Sequence, residues 1–342
     1  MASSGVVDTA DAAPLLSVED LVVEFHNREG VSRVVDGVTF SVGRGETLGL
    51  LGESGCGKTV TSLALMRLLP SRSGRIAGGR LLFEGTDLAT LSEEQMRRLR
   101  GSAISMILQD PLTSLNPVFS IRRQVVEALR LHREAPPDRG REKAAALLAE
   151  MRIPDADSRL DSYPHQFSGG MRQRVVSAIA LAGNPRLLIA DEPTTSLDVT
   201  VQAHFLRLLR EIQDSHGLSI VFVTHDLGVI ARICHRAAVM YAGRIVEEAP
   251  VRQLFAAPAH PYTRALLEAS PRLEARKRPL TWIAGQPPSP RARPPGCAFA
   301  PRCPAAMERC RREAPPEIWI DQRHRAACWL HANGEDERHR DG

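Results

Sequence analysis

No apolar run in this 342-residue chain approaches the roughly 18–20 residues that cross a bilayer as a helix, which excludes a chain that spans a membrane by such helices of its own. Residues 1–13 lack a basic n-region and an apolar h-region, so they read as a disordered lead-in rather than a secretory signal. A large excess of one charge sign is also missing. Lys and Arg number 44 against 40 Asp and Glu, and a net +4 is too small at this length to argue for nucleic acid. Sustained heptads are missing, which excludes a long coiled-coil insertion. These features place the chain in the cytosol, where thiols stay reduced, so its six cysteines need a reading other than disulfides. What is present is a 43% hydrophobic content, enough for a substantial core in one large domain plus a smaller one.

The stretch Gly52-Glu53-Ser54-Gly55-Cys56-Gly57-Lys58-Thr59 fills every fixed position of the phosphate-binding loop G-x-x-x-x-G-K-[ST]. Glycines let backbone N–H groups curl round phosphate oxygens that a Cβ would obstruct. Lys58 supplies a point charge to the phosphates and the Thr59 hydroxyl a ligand for Mg²⁺. Residues 46–51 read as a buried strand entering the loop, and residues 61–69 as the helix leaving it, whose N-terminus favours an anion. Residues 52–60, Val60 included, are therefore the expected nucleoside triphosphate contacts.

Upstream, residues 15–25 and 34–42 alternate as strands, with Phe25 as the aromatic best placed to stack on an adenine. Residues 78–85 resemble an edge strand and turn, and residues 92–100 a short helix capped by Ser92 with Gln95 at the capping-box position. An apolar strand over 104–108 stops at Gln109, whose carbonyl can ligate Mg²⁺ or hold an attacking water. Residues 121–151 form a helical insertion, interrupted at Pro136-Pro137-Asp138-Arg139-Gly140.

Ser168-Gly169-Gly170 directly precedes a helix over 171–182, a second anion site built from N–H groups and a hydroxyl. The run Leu187-Leu188-Ile189-Ala190-Asp191-Glu192 suits a central parallel strand ending in two carboxylates at the edge where such sheets bind ligands. Asp191 is expected to hold Mg²⁺ and Glu192 to act as general base toward the water attacking the γ-phosphate. Adjacent strand residues face opposite ways, so the chain must turn here, and Pro193 fits that turn. Ser196-Leu197-Asp198 leads into a helix over 199–215. A further buried strand ends at His225, placed to contact the γ-phosphate and the attacking water.

Taken together, these residues resemble an ATP-binding cassette (ABC) ATPase over about residues 15–250. Six motifs occur in the family's order: the phosphate loop, Gln109, Ser168-Gly169-Gly170, Asp191-Glu192, Ser196-Leu197-Asp198 and His225. The segments 109–117, 168–175 and 296–304 resemble the peptide/nickel permease subfamily, and its D-type ATPase more than its F-type partner. Phe167, Met171 and Leu108 depart from the broader pattern without removing a catalytic group. The resemblance implies an α/β P-loop fold (RecA-like) with an antiparallel β-subdomain, a helical subdomain near 119–183, a small Cys-containing extension over 251–330, and a disordered tail from 331. It implies an ATPase driving import of di- or oligopeptides, with nickel or another small solute as the alternative cargo. The implied partners are a second, non-identical F-type ATPase whose signature closes on this chain's ATP, two membrane-spanning permease subunits and an external peptide-binding protein, with no nucleic acid. The implied location is the cytoplasmic face of the membrane, where a permease helix docks beside Gln109 and the helical insertion. A soluble ABC protein acting on ribosomes or DNA fits less well, since the chain carries one cassette.

Beyond residue 250 the composition becomes rich in Pro and Arg. Cys297, Cys303, Cys310 and Cys328 follow as C-x5-C-x6-C-x17-C, away from Cys56 and Cys234. Four thiols in a small polar segment suggest a soft-metal site, although the C-x2-C pairs usual in zinc ribbons are missing. The subfamily resemblance implies a 4Fe-4S cluster on these four residues, stapling the extension. Zinc and metal-free thiols are the alternatives.

Overall fold

The computed structural model describes residues 13–28, 30–132, 139–270 and 282–334. Residues 1–12 of the lead-in, the prolines 136 and 137, the stretch 271–281 and residues 335–342 of the expected tail lie outside the described residues, whereas residues 331–334, expected in that tail, belong to a short 3-10 helix (Trp329–Gly334).

Two sheets organise the chain. Strands β1 (Leu16–Asn27), β2 (Gly30–Val42), β4 (Gly74–Phe83) and β5 (Thr86–Asp87) form an antiparallel sheet in the order β2-β1-β4-β5. Strand β4 is therefore flanked on both sides, although only two residues of β5 cover its outer side. The second sheet contains β3 (Thr47–Leu51), β6 (Ile104–Ile107), β7 (Leu187–Asp191), β8 (Ser219–Thr224), β9 (Arg236–Tyr241), β10 (Arg244–Pro250), β11 (Ile318–Asp321) and β12 (His324–Ala326). Its order is β11-β12-β10-β9-β3-β8-β7-β6, with β9, β3, β8, β7 and β6 parallel. Every residue of β3, β7 and β8 is buried, as expected for parallel strands covered on both faces.

Among the described residues, twelve α-helices connect the strands. They are α1 (Lys58–Leu65), α2 (Glu93–Leu99), α3 (Pro111–Ser114), α4 (Ile121–Leu131), α5 (Gly140–Glu150), α6 (Ala156–Arg159), α7 (Gly169–Leu181), α8 (Val199–His216), α9 (Leu227–Ile233), α10 (Val251–Ala256), α11 (Pro261–Ala269) and α12 (Glu308–Arg312). Local chemistry fixes several ends. Ser92 and Gln95 form the reciprocal capping box of α2, while Ser168 and Asp198 accept N–H groups of the first turns of α7 and α8. Helix α4 buries Ile121, Val125 and Leu129, a four-residue spacing that lays one stripe against its neighbours.

The alternation along β8 divides the core. Ile220 and Phe222 pack with Val175, Ala178, Phe205 and Leu209 from α7 and α8 on one face. Val221 and Val223 pack with Ala64 and Leu65 of α1 and with Val18, Val23 and Phe40 of the antiparallel sheet on the other.

The C-terminal residues are built into this frame. Strand β12 pairs with β10, and Arg325 donates to Glu248 and to the Thr39 carbonyl of β2. Glu247, fully buried, accepts the backbone N–H groups of Ala259 and His260 at 2.8 Å each, and His324 Nε2 lies 2.8 Å from its Oε1. Burial pushes the Glu247 carboxyl up, but these hydrogen bonds outweigh it and hold its pKa below the usual range.

Candidate nucleotide site

A cavity of about 710 Å³ opens at the C-terminal ends of the parallel strands. The phosphate loop forms one wall, and Gln109, Glu192, Thr195 and His225 form the other, with Val34 and Leu266 at the rim. The loop leaves β3 and enters α1, as its sequence demands. Gly57 has φ 108°, a backbone conformation that favours glycine, and a Cβ placed there would lie a tight 3.3 Å from the Val34 carbonyl oxygen. Lys58, 5% exposed, donates through Nζ to the carbonyls of Gly52 and Glu53 at 2.7 and 3.0 Å, which aims the ammonium across the loop. Cys56 is buried behind the loop, and burial raises its thiol pKa.

Asp191 and Glu192 diverge as strand geometry requires, yet both reach the site. Glu192 adopts φ 46°, so the chain turns at that residue, one position before Pro193. A non-glycine residue in this region costs about 1–2 kcal/mol, which surrounding contacts must offset. Three side chains hold its carboxylate. Gln109 Nε2 donates to Oε2 at 3.2 Å, the Thr195 hydroxyl donates to Oε2 at 3.0 Å, and His225 Nδ1 lies 3.1 Å from Oε1. Asp191 is 1% exposed and accepts the Thr59 hydroxyl at 3.4 Å. Burial, reinforced by the Glu192 charge, pushes its pKa up to about 6, against the pull of Thr59 and Lys58. A buried carboxylate beside a hydroxyl is a hard oxygen donor set that fits Mg²⁺. The ion, bound with the nucleotide, would be held by Thr59 and Asp191 and would neutralise phosphate charge.

Ser168, Gly169, Gly170 and Asp198 do not line this cavity. They lie together elsewhere, since Gly170 packs against Val201 in the turn that Asp198 caps. Ser168, Gly169, Asp198 and Val199 are exposed. Phe25 sits at the end of β1 beside Gly74, outside the cavity lining. Thr195 was signalled only by its place between two motifs, and Val34 and Leu266 carried no signal.

The metal reading of the four C-terminal cysteines is overturned. Among the described residues, no group of three or more His, Cys, Asp or Glu is placed to hold a metal ion. Cys297, Cys303, Cys310 and Cys328 do border one cavity, but at about 10 Å³ it is no larger than a single water, and Phe299 and Trp329 close it. Burial raises the pKa of the Cys297 and Cys303 thiols, and that of Cys328 to about 11. Cys297 and Cys303 pack against the main core, and Cys310 packs beside Ala300 and Trp329, where its Sγ accepts the Met307 N–H at 3.4 Å. Spacing suggested a staple, whereas sheet pairing and buried ion pairs anchor this region.

The chain resembles known proteins over nearly all its length. A family profile for ABC transporters matches residues 35–195, and one for the oligopeptide/dipeptide transporter C-terminal region matches residues 246–310. The probable peptide ABC transporter ATP-binding protein y4tR of Sinorhizobium fredii is 51% identical over 92% of this chain and 94% of its own length. The chain belongs to the peptide ABC transporter ATP-binding family. The dipeptide transport ATP-binding protein DppD of Bacillus subtilis is 48% identical, over 92% of this chain and 94% of that protein. Among solved structures, cbiO1 of Clostridium perfringens, part of the ABC transporter complex cbiONQ, superposes with a TM-score of 0.62 at 28% identity, covering 72% of this chain and 92% of that one. The cavity at the phosphate loop is where an ABC ATPase binds ATP, and the Glu192 carboxylate lines it.

Proposed function

We propose that this chain is the D-type ATPase of an importer that takes up di- or oligopeptides, working from the cytoplasmic face of the membrane beneath two permease subunits. Among the described residues no helix is long and apolar enough to cross a membrane, so the translocation path belongs to those partners. The observation that carries the reading is the Glu192 carboxylate, held by Gln109, Thr195 and His225 across the cavity from Lys58. That arrangement suits hydrolysis, because the base is oriented before the nucleotide arrives.

The exposed signature, Ser168 and Gly169 with Gly170 beside them, together with Asp198, then serves a second, non-identical F-type ATPase, closing on the ATP held there. ATP binding closes the pair and hydrolysis reopens it, so the two states present different surfaces to the permease. An external peptide-binding protein delivers the cargo. Residues 15–250 form the cassette, residues 251–330 an extension, and Phe25, outside the phosphate cavity, stacks on the adenine where the nucleotide extends beyond that cavity.

The test is reconstitution of the chain with its permease pair and partner ATPase in vesicles. ATP-dependent uptake of a labelled dipeptide, stimulated by the binding protein, supports the reading. Uptake of chelated nickel in place of peptides would reassign the cargo. Full turnover by Glu192→Gln would refute its role as base.

A further inference from the structure

Glu53, the second residue of the phosphate loop, is held from the far end of the chain. Arg302 donates through Nη1 and Nη2 to Glu53 Oε2 and Oε1 at 2.7 and 3.0 Å, a two-pronged pair. The Arg302 side chain is 4% exposed. Its remaining N–H groups reach the carbonyls of Ala284 and Ile283 at 2.9 and 3.2 Å and the Tyr241 hydroxyl at 3.2 Å, which fixes the orientation of the guanidinium. The Glu53 backbone N–H donates to the Tyr262 hydroxyl at 2.9 Å. Tyr262 is fully buried, with Tyr241 and Phe299 ring centroids 4.6 and 5.3 Å away. The same C-terminal segment reaches the opposite rim, where Arg293 donates to the Val34 carbonyl at 3.1 Å.

A carboxylate on the wall of an anion site opposes the ligand. Glu53 lines the cavity, and its side chain is 27% exposed. Unpaired, it repels a triphosphate; paired, it presents a neutral unit in one fixed position.

We propose that Arg302 is a positioning residue of the nucleotide site. It neutralises and immobilises Glu53, so that the phosphate loop accepts ATP, and the C-terminal region thereby becomes part of the ATP-binding apparatus. This rests on the nucleotide reading of the cavity.

The experiment measures MgATP affinity of the full-length chain by displacement of trinitrophenyl-ATP. Arg302→Gln raises the ATP Kd about tenfold, the scale of one partly screened charge pair. Arg302→Lys retains the charge and recovers most of the affinity. The double variant Glu53→Gln/Arg302→Gln returns to within about twofold of the native chain, because the repelling carboxylate leaves with its partner. Loosening of the C-terminal region alone would leave the double variant as weak as Arg302→Gln. A native Kd in Arg302→Gln, or a double variant no tighter than Arg302→Gln, overturns the proposal. Should Arg302→Gln fail to fold, Glu53→Gln decides: it binds ATP at least as tightly as the native chain, and a tenfold loss there overturns the proposal. Failure of the native chain itself to bind ATP would refute the nucleotide reading and this inference with it.

Discussion

The Thr195 hydroxyl donates a 3.0 Å hydrogen bond to Glu192 Oε2, across the turn that Glu192 makes by adopting φ 46°. The bond ties a strained backbone position to the orientation of the carboxylate that faces the phosphate loop. Thr195→Val keeps the side-chain shape and removes the donor. We expect kcat of the assembled ATPase to fall about tenfold, the value of one hydrogen bond to a charged group, with KM for ATP unchanged. Thr195→Ser, which restores a hydroxyl, recovers most of the rate. Equal kcat in the valine variant would show that Gln109 and His225 suffice.

A side chain at Gly57 would be strained. Gly57→Ala combines a φ of 108° with a Cβ 3.3 Å from the Val34 carbonyl oxygen, so β2 or the phosphate loop must shift. The expected cost is about 1–3 kcal/mol of stability. The expected readout is loss of measurable ATP binding with the far-ultraviolet circular dichroism of the folded chain intact. Undiminished ATP affinity would mean the loop tolerates the shift.

Legibility followed chain distance. The phosphate loop, the Ser92–Gln95 capping box and the buried run of β7 are contiguous, so each declares its geometry in its own residues. The gathering of Gln109, Glu192 and His225 was legible because each ends or follows a parallel strand, and parallel strands deliver their C-terminal ends to one edge. The exact turning residue was not, since Pro193 drew attention away from Glu192 itself. Arg302 and Glu53 stand 249 positions apart, and no periodicity connects them. Strands β11 and β12, of four and three residues, are too short to show alternation and are defined by pairing onto β10. The four cysteines misled for a related reason. Spacing shows that thiols can meet, and all four do border one cavity, but the room left between them depends on packing, with Phe299 and Trp329 in the lining, that spacing does not encode.

Gly170 joins the first turns of α7 and α8. A Cβ at this position would lie 2.5 Å from Val201 Cγ1. Gly170→Ala therefore displaces the exposed signature from the turn capped by Asp198, at a cost of about 1–3 kcal/mol. ATP binding by the isolated chain should persist, because neither residue lines the cavity. ATPase activity with the partner cassette should fall, and adding Val201→Ala, which removes the clashing methyl, should restore it. Loss of ATP binding in the isolated Gly170→Ala chain would contradict the separation of the two surfaces.

His260 makes the fold sensitive to acid. It is 1% exposed, and its Nδ1 accepts the Tyr262 N–H at the start of α11, which requires an unprotonated nitrogen there. Burial lowers its pKa from 6.5 to about 4, with Glu247 pulling it up and His331 pushing it further down. Above pH 6.5 the ring is neutral in both folded and unfolded chains, so it contributes no pH dependence. Between pH 6.5 and about 4 the unfolded chain binds a proton that the folded one does not, and stability falls as pH falls. The full loss is about 3 kcal/mol, from the linkage of about 1.4 kcal/mol per pKa unit. Glu247, whose folded pKa is depressed below 4.5, adds a further loss at lower pH as its carboxylate is protonated. His260→Asn keeps an acceptor at the helix start and removes the titration. Urea unfolding at pH 7.5 and pH 5 should therefore show a large stability difference in the native chain and a smaller one in the variant. Identical pH dependence in the two would place the acid sensitivity elsewhere.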